Sequence, residues 1–550
     1  MNLAPDRVDY TTSSIKDALR KGSLDAIKNG RKPDVIIVGA GPTGCLAAKC
    51  MTDAGLDVLL LDAGLPRWVQ LRRLIWHAGN TLLGAGAVKL LGRRQSVQSR
   101  CFAWWTAPDT FVDDVDNPYV TPANQSFVWL RSRQLGGRIA VPGHGRQYYR
   151  LGPADFHPSD GASLPWPLGP NELSRWYDFV EQQVELAGNE DGLDYLPNGR
   201  PMRVLAYSAA ETRLRAAVIT RWPGARPILS RFGIFNMLDS AAQSGRLRIR
   251  SGAVATSMDV DEAGCVSAVR WTDRLSGTRQ VSESKLVFLC ASALESTRIL
   301  MLSRTPWSAG GIGSSSGALG HFLMDHIRVV ANGYGPPIAR NSPVEAGRCL
   351  YIPRFDAREH GKPPPARGFG VQIGQAFVDH DRSQVSMASF GEMLPRHENF
   401  ARLHPTRRDA WGVPILEICA RHGDVDLAQA GRQKAALREL ADATGVTLTN
   451  IDDAAAIPGS ANHECGTARM GSDPKSSVLD PHNECWEARG LFVTDGASMP
   501  SQGSQNPVLT LLALTARACD YALHGRQISH PVRQSDEDHT VSRTHEIGAQ

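Results

Sequence analysis

The chain has 550 residues, 42% of them hydrophobic and 21% charged, which are ordinary values for a globular protein. A formal net charge of only +4, with no dense Lys/Arg block, argues against a nucleic-acid partner. The length predicts two structural domains rather than one core.

Residues 1–30 are polar, and no strong pattern is read in them. They lack an apolar run after a basic start, so no secretory signal is expected. Asp34-Val35-Ile36-Ile37-Val38 begins the first clear element, a continuous apolar run of the kind found in a strand buried on both faces. Gly39-Ala40-Gly41-Pro42-Thr43-Gly44 follows, then a helix from Cys45 that stops at Gly55. Val58-Leu59-Leu60-Leu61 is a second buried strand and ends at Asp62, which completes a βαβ start. Residues 65–130 are mixed, with Trp104 and Trp105 among them. A helix is predicted over 171–187, carrying Leu173, Trp176, Tyr177 and Val180 at helical spacing. Leu247–Arg250 and Val266–Trp271 read as strands, Leu286–Cys290 as a buried strand, and Ala293–Leu302 as the helix after it. Residues 325–450 mix short strand-like runs with polar loops. Leu491–Thr494 is a late buried strand and Val508–Leu523 an apolar helix. Residues 526–550 read as a flexible tail. No segment reaches the ~18 apolar residues of a membrane span. The ten cysteines form no CxxC pair, which excludes zinc-ribbon and thioredoxin-like readings. A cytoplasmic location with free thiols is the expectation.

The GxGxxG sequence at 39–44 is weak evidence alone, but here it follows a strand and opens a helix. An acid, Asp62, stands at the next strand end roughly twenty residues on. Gly39 allows a tight turn, Gly41 lets backbone approach a pyrophosphate, and Gly44 lets helix and strand pack closely. The helix N-terminus offers N–H groups to phosphate, and Asp62 can accept from ribose hydroxyls. This reading fits FAD and NAD equally, and disfavours NADP.

Near the other end stands Asn462-His463-Glu464-Cys465-Gly466-Thr467-Ala468-Arg469-Met470-Gly471. Thr494-Asp495-Gly496-Ala497 and Gln505-Asn506-Pro507-Val508-Leu509-Thr510 follow. With the fingerprint and the Cys290–Ser296 stretch, these segments resemble the glucose–methanol–choline (GMC) oxidoreductases, FAD-dependent oxidases and dehydrogenases of alcohols. The resemblance implies His463 and Asn506 as catalytic residues. It implies Gly39, Gly41, Gly44, Asp62, Gly136, Gly137, Val254, Ala291, Asp495, Gly496, Pro507 and Thr510 as FAD-binding positions. Asn506 also reads as an ordinary cap of the last helix, with Pro507 as that helix's first residue. A histidine suits removal of the alcohol proton, and an amide suits holding the developing alkoxide. The carbon must then lie roughly 3–3.5 Å from the flavin N5.

Arg133–Arg138 is similar to the family's second glycine-rich segment, and the stretches at 149–151 and 166–177 resemble bacterial sugar dehydrogenases and pyranose oxidases. The pyranose oxidases place a flavin-linking histidine after the double glycine. Here Arg138-Ile139-Ala140-Val141-Pro142 stands there, so non-covalent FAD is expected; His144 is misplaced for a link. Arg146, Gln147 and His144 read equally as sugar-pocket groups or surface loop. Trp104 and Trp105 are expected to pack rather than stack on sugar. His321 and His326 have no third ligand partner in sequence, so no metal is expected.

The expected fold is α/β, a Rossmann-type FAD-binding domain interleaved with an α+β substrate domain built on an antiparallel sheet. The first domain draws on 31–150, 246–320 and 456–525, and the second on 151–245 and 321–455. The expected activity is oxidation of a CH–OH group, of a sugar or glycoside, by His-assisted deprotonation and hydride transfer to flavin. Oxygen, a quinone or a protein could take the electrons. A GMC-type lyase, a non-sugar alcohol substrate, a flavin-binding protein without turnover and a simple NAD dehydrogenase are the rival readings.

Overall fold

In chain order the strands that frame the molecule are β1 (Val35–Val38), β2 (Val58–Asp62), β3 (Ile228–Leu229), β4 (Leu247–Ser251), β5 (Val287–Leu289), β6 (Ile327–Gly335), β7 (Leu350–Ile352), β8 (Phe369–Phe377), β9 (Ser383–Gly391), β10 (Thr447–Ile451), β11 (Glu484–Cys485) and β12 (Ala488–Val493). The helices that matter to the site are α1 (Ser13–Asp25), α2 (Pro42–Asp53), α3 (Pro170–Gln183), α4 (Met237–Gln243), α5 (Ala293–Leu302), α6 (Asp424–Thr444) and α7 (Val508–Asp520). These come from a computed structural model that describes residues 12–25, 32–65, 92–101, 104, 107–141, 146–158, 163–343, 345, 347–357, 368–452 and 455–525. The expectations for Trp105, Pro142, His144 and the 526–550 tail lie outside the described residues.

β1 is buried along its whole length, as a wholly apolar run requires. It pairs in parallel with β2 on one side, Val35 opposite Val58, and with β5 on the other, Ile36 opposite Val287. β12 extends the sheet beyond β5, β4 extends it beyond β2, and short β11 closes the β12 edge antiparallel. The order is β11-β12-β5-β1-β2-β4, with α2 packed on α4 and α7. A separate three-stranded antiparallel sheet, Ala253–Val260, Val266–Asp273 and Arg279–Glu283, lies between β4 and β5 in the chain.

The second large sheet has the order β10-β6-β9-β8-β7-β3, and its neighbouring strands all pair antiparallel. Its strands alternate, as a sheet covered differently on its two faces must. Val371, Ile373 and Met387 form one core with Leu437 and Leu440 of α6. Gln433 of α6 donates to Ser389 at 3.0 Å from the same side. The intervening residues Gln372 and Phe390 therefore lie on the opposite face.

The mixed helix-and-sheet class read from the sequence holds. The polar N-terminal segment carries an element that its sequence does not announce. Residues 13–25 form a helix, α1, with Ile15, Ala18 and Leu19 buried against the parallel-sheet core. These stand at i, i+3 and i+4, an apolar stripe too short to register in a mostly polar stretch. α3 starts at Pro170 and ends at Gln183, four residues before the expected end. Among the described residues no helix is long and apolar enough to cross a membrane. All ten cysteines are free thiols.

Candidate active site

One cleft is lined by Asp62 at the end of β2, by glycines of the fingerprint, and by His463 and Asn506. The fingerprint glycines have distinct duties. Gly39 has φ +100° and backs onto the Cys290 carbonyl, where an added Cβ would come within 2.4 Å. An added Cβ on Gly44 would lie 1.9 Å from the Gly39 carbonyl oxygen, so this glycine sets the approach of α2 to β1. At Gly41 the nearest heavy atom to an added Cβ is 3.9 Å away, and the residue lines the cleft. The missing side chain there serves the cleft rather than the packing. Gly137, at φ +59°, faces Gly41 so closely that its added Cβ would meet Gly41 Cα at 3.2 Å. Gly136, at φ +83°, donates its N–H to the Ala40 carbonyl at 2.8 Å.

Asp62 is buried and binds the loop itself: one oxygen accepts from Ala40 N at 2.8 Å and the other from Gly64 N at 2.7 Å. Burial raises its pKa, and those two N–H groups oppose the rise. Val254 and Ala291 also line the cleft. So does Ser292, whose φ of +80° is costly for a residue with a side chain. Asp495, at the end of β12, is buried and lines the cleft with Gly496. It accepts from Ser296 Oγ at 2.5 Å and from Ala497 N at 3.0 Å, and burial lifts its pKa to about 6.

His463 follows Asn462, which has φ +63°. Two backbone bonds of 3.0 Å join Met324 and Cys465, so the 324–326 and 463–465 segments run side by side. Gly466 permits this approach, since an added Cβ would lie 2.2 Å from the Phe322 carbonyl oxygen. The result sets His463 Nδ1 2.9 Å from His326 Nδ1. Asp325 is buried and its carboxylate accepts from His463 N at 2.9 Å and Ala461 N at 3.0 Å. Burial and nearby Glu464 raise the Asp325 pKa to about 6. Gln502 donates to the His463 carbonyl. Glu464 is buried and paired with Arg138, with 2.7 Å between charged atoms. Phe390 lies beside both imidazoles, its ring centroid 5.9 Å from that of His463.

Asn506 enters the cleft just before α7, and Pro507 and Val508 line it as well. The Asn506 side-chain oxygen accepts from Gln372 Nε2 of β8 at 3.1 Å. No side-chain cap forms, and the helix opens at Val508 with Pro507 at its cap rather than as its first residue. Thr510 lies in the first turn of α7, buried, with its hydroxyl 2.8 Å from the Tyr177 hydroxyl of α3. Gly44, Gly136 and Thr510 thus sit behind the cleft, and the other expected positions line it.

Arg146 and Gln147, left between pocket and surface loop in the sequence reading, are buried and line the cleft with Tyr148. Trp104 is buried and donates to Gln95 at 2.8 Å, a packing role. His321 stacks on His397 with centroids 3.8 Å apart, while His326 turns to His463. No sequence signal marks His326, Gln372, Asp325 or the Arg138–Glu464 pair as neighbours of His463 and Asn506. The Asp325-His326 dipeptide directly precedes β6, but nothing in its neighbourhood announces a partner 137 residues away.

An FAD fits these residues. An open glycine cradle leads into a helix N-terminus, and the acid Asp62 lines the same cleft. Asn462 Oδ1 and the Tyr148 hydroxyl have no hydrogen-bond partner among the described residues.

Residues 395–515 match the family model described as GMC oxidoreductase. The chain is 25% identical to the 2-methyl-1,2-propanediol dehydrogenase of Mycolicibacterium austroafricanum, over 89% of this chain and 94% of that protein. It is 25% identical to the 6'''-hydroxyparomomycin C oxidase of Streptomyces lividus, over 91% and 92%. The solved structure of pyridoxine 4-oxidase from Mesorbium loti superposes with a TM-score of 0.58 at 19% identity, covering 89% of this chain and 99% of that one.

Proposed function

We propose that this chain, an oxidoreductase of the GMC type, oxidises a CH–OH group of a sugar or other polyhydroxylated alcohol, with His463 as the base and FAD held without a covalent bond. When bound, FAD supplies the hydride acceptor. Gly41, Gly137 and the start of α2 would hold its pyrophosphate, Asp62 its ribose, and Asp495, Gly496, Pro507 and the start of α7 its ring end. The remaining chemistry belongs to the chain. His463 takes the hydroxyl proton, which raises electron density at the carbon and makes hydride departure easier. The Asn506 amide, its oxygen occupied by Gln372, has N–H groups available to hold the developing alkoxide. The N-terminus of α7 adds partial positive charge at the same place. Arg146, Gln147 and Tyr148 offer donors and acceptors suited to several hydroxyls, which supports a sugar-like substrate. The parallel sheet would then be the FAD domain and the antiparallel sheet the substrate domain.

The observation that carries this reading is that His463 and Asn506 line the same cleft as the glycine fingerprint. Replacing His463 with Ala should slow flavin reduction by substrate roughly 10²–10⁴-fold while flavin content stays unchanged. Stopped-flow absorbance under anaerobic conditions measures it. An unchanged rate would overturn the role of His463.

A further inference from the structure

We propose that His326 is a positioning residue that fixes His463 in the tautomer carrying its proton on Nδ1 and its lone pair on Nε2. The inference rests on the reading of His463 as the base. The far side of His326 fixes where its own proton sits. There Nε2 lies 3.0 Å from the Gly503 carbonyl oxygen. A carbonyl can only accept, so His326 Nε2 carries a proton. The ring is buried, and burial pushes its pKa down to about 4, so His326 is neutral at ordinary pH. A neutral imidazole with Nε2 protonated has a bare Nδ1. That bare nitrogen stands 2.9 Å from His463 Nδ1, which must therefore be the donor. The rings meet edge to face, with centroids 4.9 Å apart and an interplanar angle of 83°.

Each end of this relay is itself held. Gly503 donates its N–H to buried Glu392 at 3.0 Å, and Gln502 N does the same at 3.1 Å. The loop that supplies the accepting carbonyl is thus tied to the residue after β9. At the other end, Asp325 holds the backbone N–H of His463, and the Met324–Cys465 pair sets the spacing of the two histidines. A neutral base with its proton on the wrong nitrogen cannot take one there, so the tautomer decides whether His463 is competent.

Nitrogen-15 NMR of the flavin-loaded protein with labelled histidine tests this directly. The His463 signals are assigned by their loss in His463→Ala. At neutral pH Nδ1 should show a protonated, pyrrole-type shift, and Nε2 a bare, pyridine-type shift. The reverse assignment would overturn the proposal, whatever the activity. The kinetic arm compares His326→Leu, which removes the acceptor, with His326→Asn, whose Oδ1 can stand close to where Nδ1 lay. Leu should lower the flavin reduction rate about 10- to 100-fold with little change in KM, and Asn should recover most of it. A His326→Leu protein that keeps the wild-type rate would sink the proposal. Should His326→Leu not fold, the wild-type spectrum still decides. The underlying reading fails separately, if His463→Ala reduces its flavin at the wild-type rate.

Discussion

Buried charge beside His463 sets the first test at the scale of single residues. The Glu464 side chain is only 1% exposed and Arg138 answers it, itself 26% exposed. Removing one partner of a buried pair leaves an uncompensated charge, which costs about 3–5 kcal/mol. Arg138→Met should lower stability by about that amount in a denaturant titration. Substituting both residues together, Arg138→Met with Glu464→Gln, should recover much of it. Asp155 gives a second test. Burial and the nearby Glu392 lift its pKa to about 7, while Gly152 N and Arg354 oppose the rise. The folded state therefore favours its protonated form. The stability it contributes is complete below the ordinary carboxylate range and is lost as pH rises through about 7. Asp155→Asn should melt above the wild type at pH 8, with the gap closing towards pH 4 in thermal scans. A gap that widens at low pH would contradict the assigned direction.

At the scale of elements the glycine fingerprint divides into packing and cradle. Gly44→Ala places a Cβ 1.9 Å from the Gly39 carbonyl and should destabilise the fold by about 1–3 kcal/mol or more. Gly41→Ala meets no atom within 3.9 Å in the protein, so its melting temperature without flavin should match the wild type while flavin affinity falls. Flavin retention after gel filtration, measured beside melting, separates the two. The βα start was legible because β1 and β2 are unbroken apolar runs buried in the sheet, a pattern set by local sequence. α5 was legible to its ends for the same reason. α1 was not, since its stripe is only Ile15, Ala18 and Leu19 and becomes meaningful only against α4 and β4. Likewise β8 gives Gln372 no mark as a site residue. It faces Asn506 because the pleat puts Val371 and Ile373 on α6.

At the scale of the whole molecule, strand ends of the parallel sheet line the cleft, and the antiparallel sheet meets its lining through Gln372 against Asn506 and Phe390 beside His463. His463 and Asn506 were visible through their motifs, both lying in the one C-terminal stretch that the family model also covers. Their partners, His326 and Gln372, come from just before β6 and the middle of β8. Such partners depend on how distant segments are laid side by side, which no local pattern encodes. The cofactor's attachment is tested at this scale too. Acid precipitation should leave the flavin in the supernatant, and colour in the pellet would contradict a non-covalent site. The central claim, oxidation of a CH–OH group beside His463 in the cleft, meets its most direct test in an anaerobic titration of the purified flavoprotein with sugars, glycosides and simple alcohols. At least one polyhydroxylated alcohol should bleach the visible flavin band, and admitting oxygen should then report whether oxygen restores it. Flavin that stays fully oxidised with every alcohol tried would contradict the account.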